Sequence, residues 1–151
     1  MIDIQRYTPA LQQEWDEFAA ASRNGTFLHR RAYMDYHADR FSDHSLMARD
    51  GSGRLLAVLP AHAETDGTLA SHRGLTYGAW LMAPRHCTAA TMIEIFEALA
   101  AYMRAQGFRR LLYRPVPHIY HNYPAEDDIY ALWRMGAAAD AINASTTIDL
   151  S

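Results

Sequence analysis

The chain's strongest constraint lies in its middle. Three strand-like runs follow one another from Leu46 to Ser71, and a single long helix then leads directly into another strand. The first two runs, Leu46–Arg49 and Arg54–Glu64, flank Asp50-Gly51-Ser52-Gly53, a tight-turn sequence. Asp66-Gly67 turns the chain again into Thr68–Ser71, which completes an antiparallel meander. Pro60 inside the middle run marks a bulge or a ladder position that needs no N–H. Met92, Ile95, Phe96, Leu99 and Met103 then fall on one helical stripe, with Thr91-x-x-Glu94 fitting a capping box and Gly107 the stop. Arg109–Arg114 follows as a short strand, and a helix entering a strand this way implies a crossover onto a parallel partner.

The flanks complete the pattern. Met1–Tyr7 alternates as a strand, and Thr8-Pro9 opens a helix whose apolar face is Leu11, Trp15, Phe18 and Ala19. Asn24-Gly25 ends it, and a second helix is predicted from about Arg30 to Arg40, with Tyr33, Met34, His37 and Phe41 facing the core. After the loop Pro115–Tyr123, a helix with Pro124 near its start carries Glu126, Asp127 and Asp128 in its first turn and Gly136 at its stop. The three acids complement the helix dipole. The tail's Ser-Thr-Thr-Ile-Asp-Leu, residues 145–150, reads as a final strand. The order is β-α-α-β-β-β-α-β-α-β, an α/β (α+β mixed sheet) arrangement with helices on both faces, expected as a single domain over residues 1–151.

Composition narrows the function. One cysteine, Cys87, excludes an internal disulfide and any Cys-based zinc site, and with no paired histidine at a recognisable spacing an inert thiol is its simplest reading. A net charge of −3 without charge blocks offers no footprint for nucleic acid or an anionic membrane. No apolar run is long enough for a membrane span, and the first residues lack signal-peptide order, so a cytoplasmic location is expected. All 14 basic residues are arginine, which removes lysine Schiff-base chemistry. The methionines at 34, 82, 92, 103 and 135 read as core filler.

Two segments concentrate polar aromatics where strands of a βαβ unit end: Ser71-His-Arg-Gly-Leu-Thr-Tyr-Gly78 and Tyr113-Arg-Pro-Val-Pro-His-Ile-Tyr-His-Asn-Tyr-Pro124. Ligands bind at that sheet edge, where strand ends diverge. Gly74 and Gly78 would let backbone approach a ligand, and Arg73, Tyr113, Arg114 and Tyr123 would contact substrate. The same aromatics equally suit a small wet core closing the sheet edge. For transfer to an amine, His72, His118 and His121 are candidate bases, Tyr77 and Tyr120 candidate acids, and the Gly74–Gly78 amides a candidate oxyanion site. No metal is assigned to His118-x-x-His121, because prolines flank it and no third ligand stands at a familiar spacing.

The element order matches the GNAT N-acetyltransferase fold. Asn24-Gly-Thr-Phe-Leu-His29, Met34-Asp-Tyr-His37, Asp39-Arg-Phe41, Ser71–Gly78 and Tyr113-x-Pro-Val-Pro-His-Ile-Tyr-His-x-Tyr-Pro-Ala-Glu126 further resemble the FemA/FemB-like branch of that superfamily, in its first GNAT-like half. The resemblance implies transfer of an acyl or aminoacyl group to an amine acceptor, such as a peptidoglycan precursor, with aminoacyl-tRNA as a candidate donor. It also implies a second GNAT-like half, or a homodimer partner, completing the unit. The alternative is a non-catalytic half that binds the acceptor or the partner. Acetyl-CoA is the donor elsewhere in the superfamily, held by an Arg/Gln-x-x-Gly-x-Gly/Ala loop before a helix. The matching stretch here, Leu81–Thr88, has no glycine and contains Pro84, so the pyrophosphate motif is absent.

Overall fold

The computed structural model describes residues 1–36, 38–144 and 148. His37 and the strand expected at 145–150 lie outside the described residues, apart from Ile148. Among the described residues, eight strands and four α-helices follow in the order β1 (Asp3–Arg6), α1 (Gln12–Ala21), α2 (Arg31–Asp35), β2 (Ser42–Asp43), β3 (Leu46–Arg49), β4 (Leu55–Leu59), β5 (His62–Ala63), β6 (Thr68–Ala70), β7 (Leu81–Met82), α3 (Ala89–Ala105), β8 (Arg110–Leu112) and α4 (Asp127–Arg134). Two four-stranded sheets result, ordered β1-β3-β4-β7 and β2-β5-β6-β8. The predicted parallel partner of the strand after the long helix is β6, with Thr68 beside Arg110 and Ala70 beside Leu112.

The run Arg54–Glu64 is two strands, β4 and β5, separated at Pro60. Its partner run breaks at the same level, at His44 and Ser45, so one antiparallel ribbon passes from the first sheet to the second. A proline lacks the ladder's N–H, and the bend sits where none is required. Ser45 stabilises the crossing: its hydroxyl accepts from Ala61 N–H and the Arg31 guanidinium and donates to Asp43 Oδ1 at 2.7 Å. Buried Arg31 also pairs with Asp35 and Asp43 and lies 3.9 Å over the Tyr7 ring.

Strand alternation divides the core between two sides. Leu46, Ala48, Ala57, Leu59, Trp80 and Met82 pack with Met92, Ile95, Phe96, Leu99 and Met103 of α3. Met47, Val58 and Leu81 point the other way, against Trp15, Ala19, Leu28 and Met34. Three local expectations change. Helix α2 ends at Asp35, with Tyr33 40% exposed and stacked edge-on against Phe27. Thr88, not Thr91, caps α3 by accepting from Thr91 N–H. Met135 stands exposed rather than in the core. Gly107 adopts the positive φ of a helix stop, as its position requires.

Candidate functional site

Sheet edges β7 and β8 end the two sheets, and the space between such edges is where an open α/β sheet receives a ligand. Antiparallel pairing to β4 turns Leu81 toward its neighbour, leaving Trp80 and Met82 to present their backbone groups on the open side. All four of those groups are taken by the chain itself. Trp80 N–H donates to the Tyr113 hydroxyl at 2.8 Å, and Trp80 C=O accepts from Asn24 Nδ2 at 3.0 Å. Met82 N–H donates to Asn24 Oδ1 at 3.0 Å, and Met82 C=O accepts from Arg23 N–H at 2.9 Å. The Asn24 side-chain amide thus stands in for one peptide of a missing strand.

The other end of the closure is a carboxyl group. Tyr113 donates its hydroxyl to Asp128 Oδ2 at 2.6 Å, and Asp128 is 2% exposed. Burial pushes the Asp128 carboxyl up to about 6 and raises the Tyr113 phenol well above its ordinary value. Asp128 is therefore a buried acceptor rather than a solvated complement to the helix dipole. Its neighbour Asp127 pairs with Arg23 at 2.5 Å, and the same guanidinium donates to Cys87 C=O and Pro124 C=O. Arg23 so ties the end of α1 to the starts of both α3 and α4.

The loop before α3 lacks the glycines of a pyrophosphate loop and offers only part of its backbone N–H set. Pro84 has no N–H, and Ala83 N–H is committed to Leu56 C=O. In the first turn of α3, Thr91 N–H and Met92 N–H are already satisfied by Thr88. The carbonyls of Pro84 and Cys87 are turned toward Tyr123 and Arg23. Cys87 is buried against Met92 Sδ, and burial pushes its thiol up to about 12, which leaves it inert at neutral pH.

The two aromatic loops do meet. Ser71 N–H donates to Leu112 C=O, Arg114 N–H to Ser71 Oγ at 2.7 Å, and Gly78 bridges Arg114. Tyr77 and Tyr120 stack with centroids 5.4 Å apart, above buried His29. His118 is exposed in the short turn that carries Tyr120. His72 is buried, its ring packed with Phe41 and His62. His121 donates through Nε2 to Val116 C=O at 2.9 Å. Arg73 is ion-paired with Glu64, and Tyr123 donates to Pro84 C=O at 2.6 Å. The glycines serve the chain's own packing: a Cβ on Gly74 would lie 2.7 Å from the Phe41 ring, and one on Gly78 3.3 Å from Ser71 C=O. Among the described residues no group of three or more potential metal ligands assembles, and no helix is long and apolar enough to cross a membrane.

In sequence Asn24 reads only as a helix breaker within the Asn24–His29 block, and nothing singles out Arg23. Their partners lie 56 to 104 residues away, so no local spacing announces them. The one available signal is chemical, since an asparagine side chain carries the donor and acceptor of a peptide group.

Among solved structures the chain is similar to the ribosomal-protein-alanine N-acetyltransferase of Brucella melitensis biovar Abortus 2308, at TM-score 0.61 and 15% identity over 97% of this chain and 99% of that one. It is similar to AAC(6')-Iy in complex with the bisubstrate analog CoA-S-monomethyl-acetylneamine, at TM-score 0.59 and 10% identity over 99% of each chain. Glucosamine-6-phosphate N-acetyltransferase from Arabidopsis thaliana matches at TM-score 0.52 and 9% identity, again over 99% of each. The fold is that of the GNAT N-acetyltransferases. No family model matches the sequence, and no curated protein does. At these identities the GNAT likeness is a statement about architecture, and function rests on the site.

Proposed function

We propose that this chain is one half of a two-half, Fem-type N-acyltransferase. In that reading it presents the amine acceptor, or the partner half, on the exposed surface built by His118, Tyr120 and Tyr123, with buried Tyr77 stacked beneath Tyr120, while the acyl or aminoacyl donor is held elsewhere. The observation that carries the reading is the closed β7 edge, where Tyr113, Asn24 and Arg23 occupy every outward backbone group from Trp80 to Met82. An extended donor has no hydrogen-bonding edge to join there. Of the three candidate bases, His118 is the one whose exposed position in its turn lets it meet an amine, with Tyr120 two residues away. Imidazole is the side chain most often used as a general base toward an amine.

Thermal-shift titration with acetyl-CoA tests the donor side. A chain with a working site gains about 2.7 kcal/mol at a ligand concentration 100 times Kd, readily seen as a higher Tm. The expected response is flat, and a saturable rise of several degrees would refute the reading. On the acceptor side, His118→Ala in the assembled transferase should lower the rate by roughly 10²–10⁴, the range for general acid–base catalysis. A loss below about threefold removes His118 from that role.

A further inference from the structure

Helix α4 packs Leu132 against the core yet turns three other large apolar side chains to solvent. Asp128 and Ala131 face inward, while Ile129, Tyr130 and Trp133 are 42%, 48% and 69% exposed. The Tyr130 and Trp133 rings lie 5.9 Å apart and form one continuous aromatic face. Three neighbouring large apolar side chains on eight residues of helix are an exposed patch of the kind that marks an interaction surface. Two charges bracket the patch, Glu126 at its amino end and Arg134 at its carboxyl end. Both are exposed, and neither forms an ion pair with another described residue.

We infer that this face is a self-association surface whose occupant is α4 of a second copy of the chain, packed antiparallel about a two-fold axis near Tyr130. The argument is complementarity under that symmetry. A two-fold interface must match its own patch, so a residue on one side meets its counterpart's mirror position on the other. Glu126 lies four residues before Tyr130 and Arg134 four after it. The antiparallel two-fold therefore brings Glu126 of each copy opposite Arg134 of the other, twice, with Tyr130 and Trp133 interleaved between. A parallel arrangement sets like charge against like, and a partner of different sequence has no reason to require this spacing. Aromatic anchors inside a polar rim are the composition of an interface centre. One helix face is smaller than a standard interface of about 1,600 Å², so a dimer in the micromolar range is expected. The inference goes beyond the functional reading and stands whether or not the chain holds an acyl donor.

Sedimentation analysis from about 1 to 200 µM, bracketing a micromolar Kd, reads the association directly. The native chain is expected to shift from monomer to dimer across that range. Trp133→Glu should remain monomeric throughout, with circular dichroism and Tm unchanged because the side chain is exposed. Glu126→Arg and Arg134→Glu should each weaken the dimer by about three- to tenfold, and the double reversal should restore it, since surface ion pairs carry modest energies. Restoration is the reading that generic stickiness of an aromatic patch does not produce. A native chain that stays monomeric at the highest concentration overturns the inference and leaves the face to a different partner. So does a dimer that survives Trp133→Glu, or a double reversal no stronger than its single parents.

Discussion

Replacing Tyr113 by phenylalanine removes one oxygen, and the structure puts a definite cost on it. That oxygen accepts from Trp80 N–H at 2.8 Å and donates to Asp128 Oδ2 at 2.6 Å. The phenylalanine ring can keep the edge contact with Phe96, so packing changes little and the loss is polar. A hydrogen bond to a charged or partly charged carboxyl contributes about 1.5–3 kcal/mol, and a buried N–H left without an acceptor costs about 1–3 kcal/mol. Allowing for partial relaxation, Tyr113→Phe should destabilise the fold by about 3 kcal/mol, or roughly 6–12 °C in Tm for a chain of this size. Urea unfolding followed by far-ultraviolet circular dichroism gives the free energy, and differential scanning calorimetry the Tm. A double-mutant cycle with Asp128→Asn should return a coupling of about 1–2 kcal/mol, since the two groups touch. A Tyr113→Phe effect below about 0.5 kcal/mol would show that the hydroxyl is not enclosed, and the closed-edge reading would fall with it.

Asp128 and His29 should bend the pH profile in opposite directions. Burial raises Asp128 from 3.8 to about 6, so the native state holds more protons between those values and loses stability as pH rises through them. Burial lowers His29 from 6.5 to about 4, so stability falls as pH drops through that window. Each is of the order of 3 kcal/mol when complete. Asp128→Asn removes one arm and leaves the other, and its Tm should fall more steeply than the native Tm between pH 6 and pH 4; equal slopes would contradict the assignment. Gly74→Ala forces a Cβ into the Phe41 ring and should cost about 1–2 kcal/mol, partly recovered in a Gly74→Ala, Phe41→Leu double variant. A neutral Gly74→Ala would show that the Phe41 ring yields without cost and that packing does not require the glycine.

What could be read from the sequence was whatever repeats along one element. The stripe from Met92 to Met103 is buried as its spacing requires, and Pro60 falls at a strand break for the reason a proline must. Tyr33 shows the limit of periodicity: it falls in register with Met34 and Phe41, yet α2 stops early and Phe27 gives it a surface partner. The acidic run at 126–128 shows a second limit. Three adjacent carboxyls look equivalent in sequence, but one is exposed, one pairs with Arg23, and one is buried beneath Tyr113. Only the approach of distant segments separates them. The aromatic loops stand out in the sequence, whereas Arg23 and Asn24, which fill the sheet edge, follow the end of α1, where no pattern points.

Asn24 carries a chemical liability that its position holds in check. Asparagine followed by glycine is the dipeptide most prone to cyclise to a succinimide, because an unhindered backbone nitrogen attacks the side-chain carbonyl. Here Asn24 is 1% exposed, and both ends of its amide are held by β7. Gly25 is equally fixed, since any side chain would collide with Ala19 C=O and Ser22 Oγ. The reaction therefore belongs to molecules that have opened. Once it occurs, an aspartate product would set a carboxylate against Trp80 C=O and prevent reclosure. The isoaspartate content of an aged sample becomes a cumulative record of how often this sheet edge has come undone.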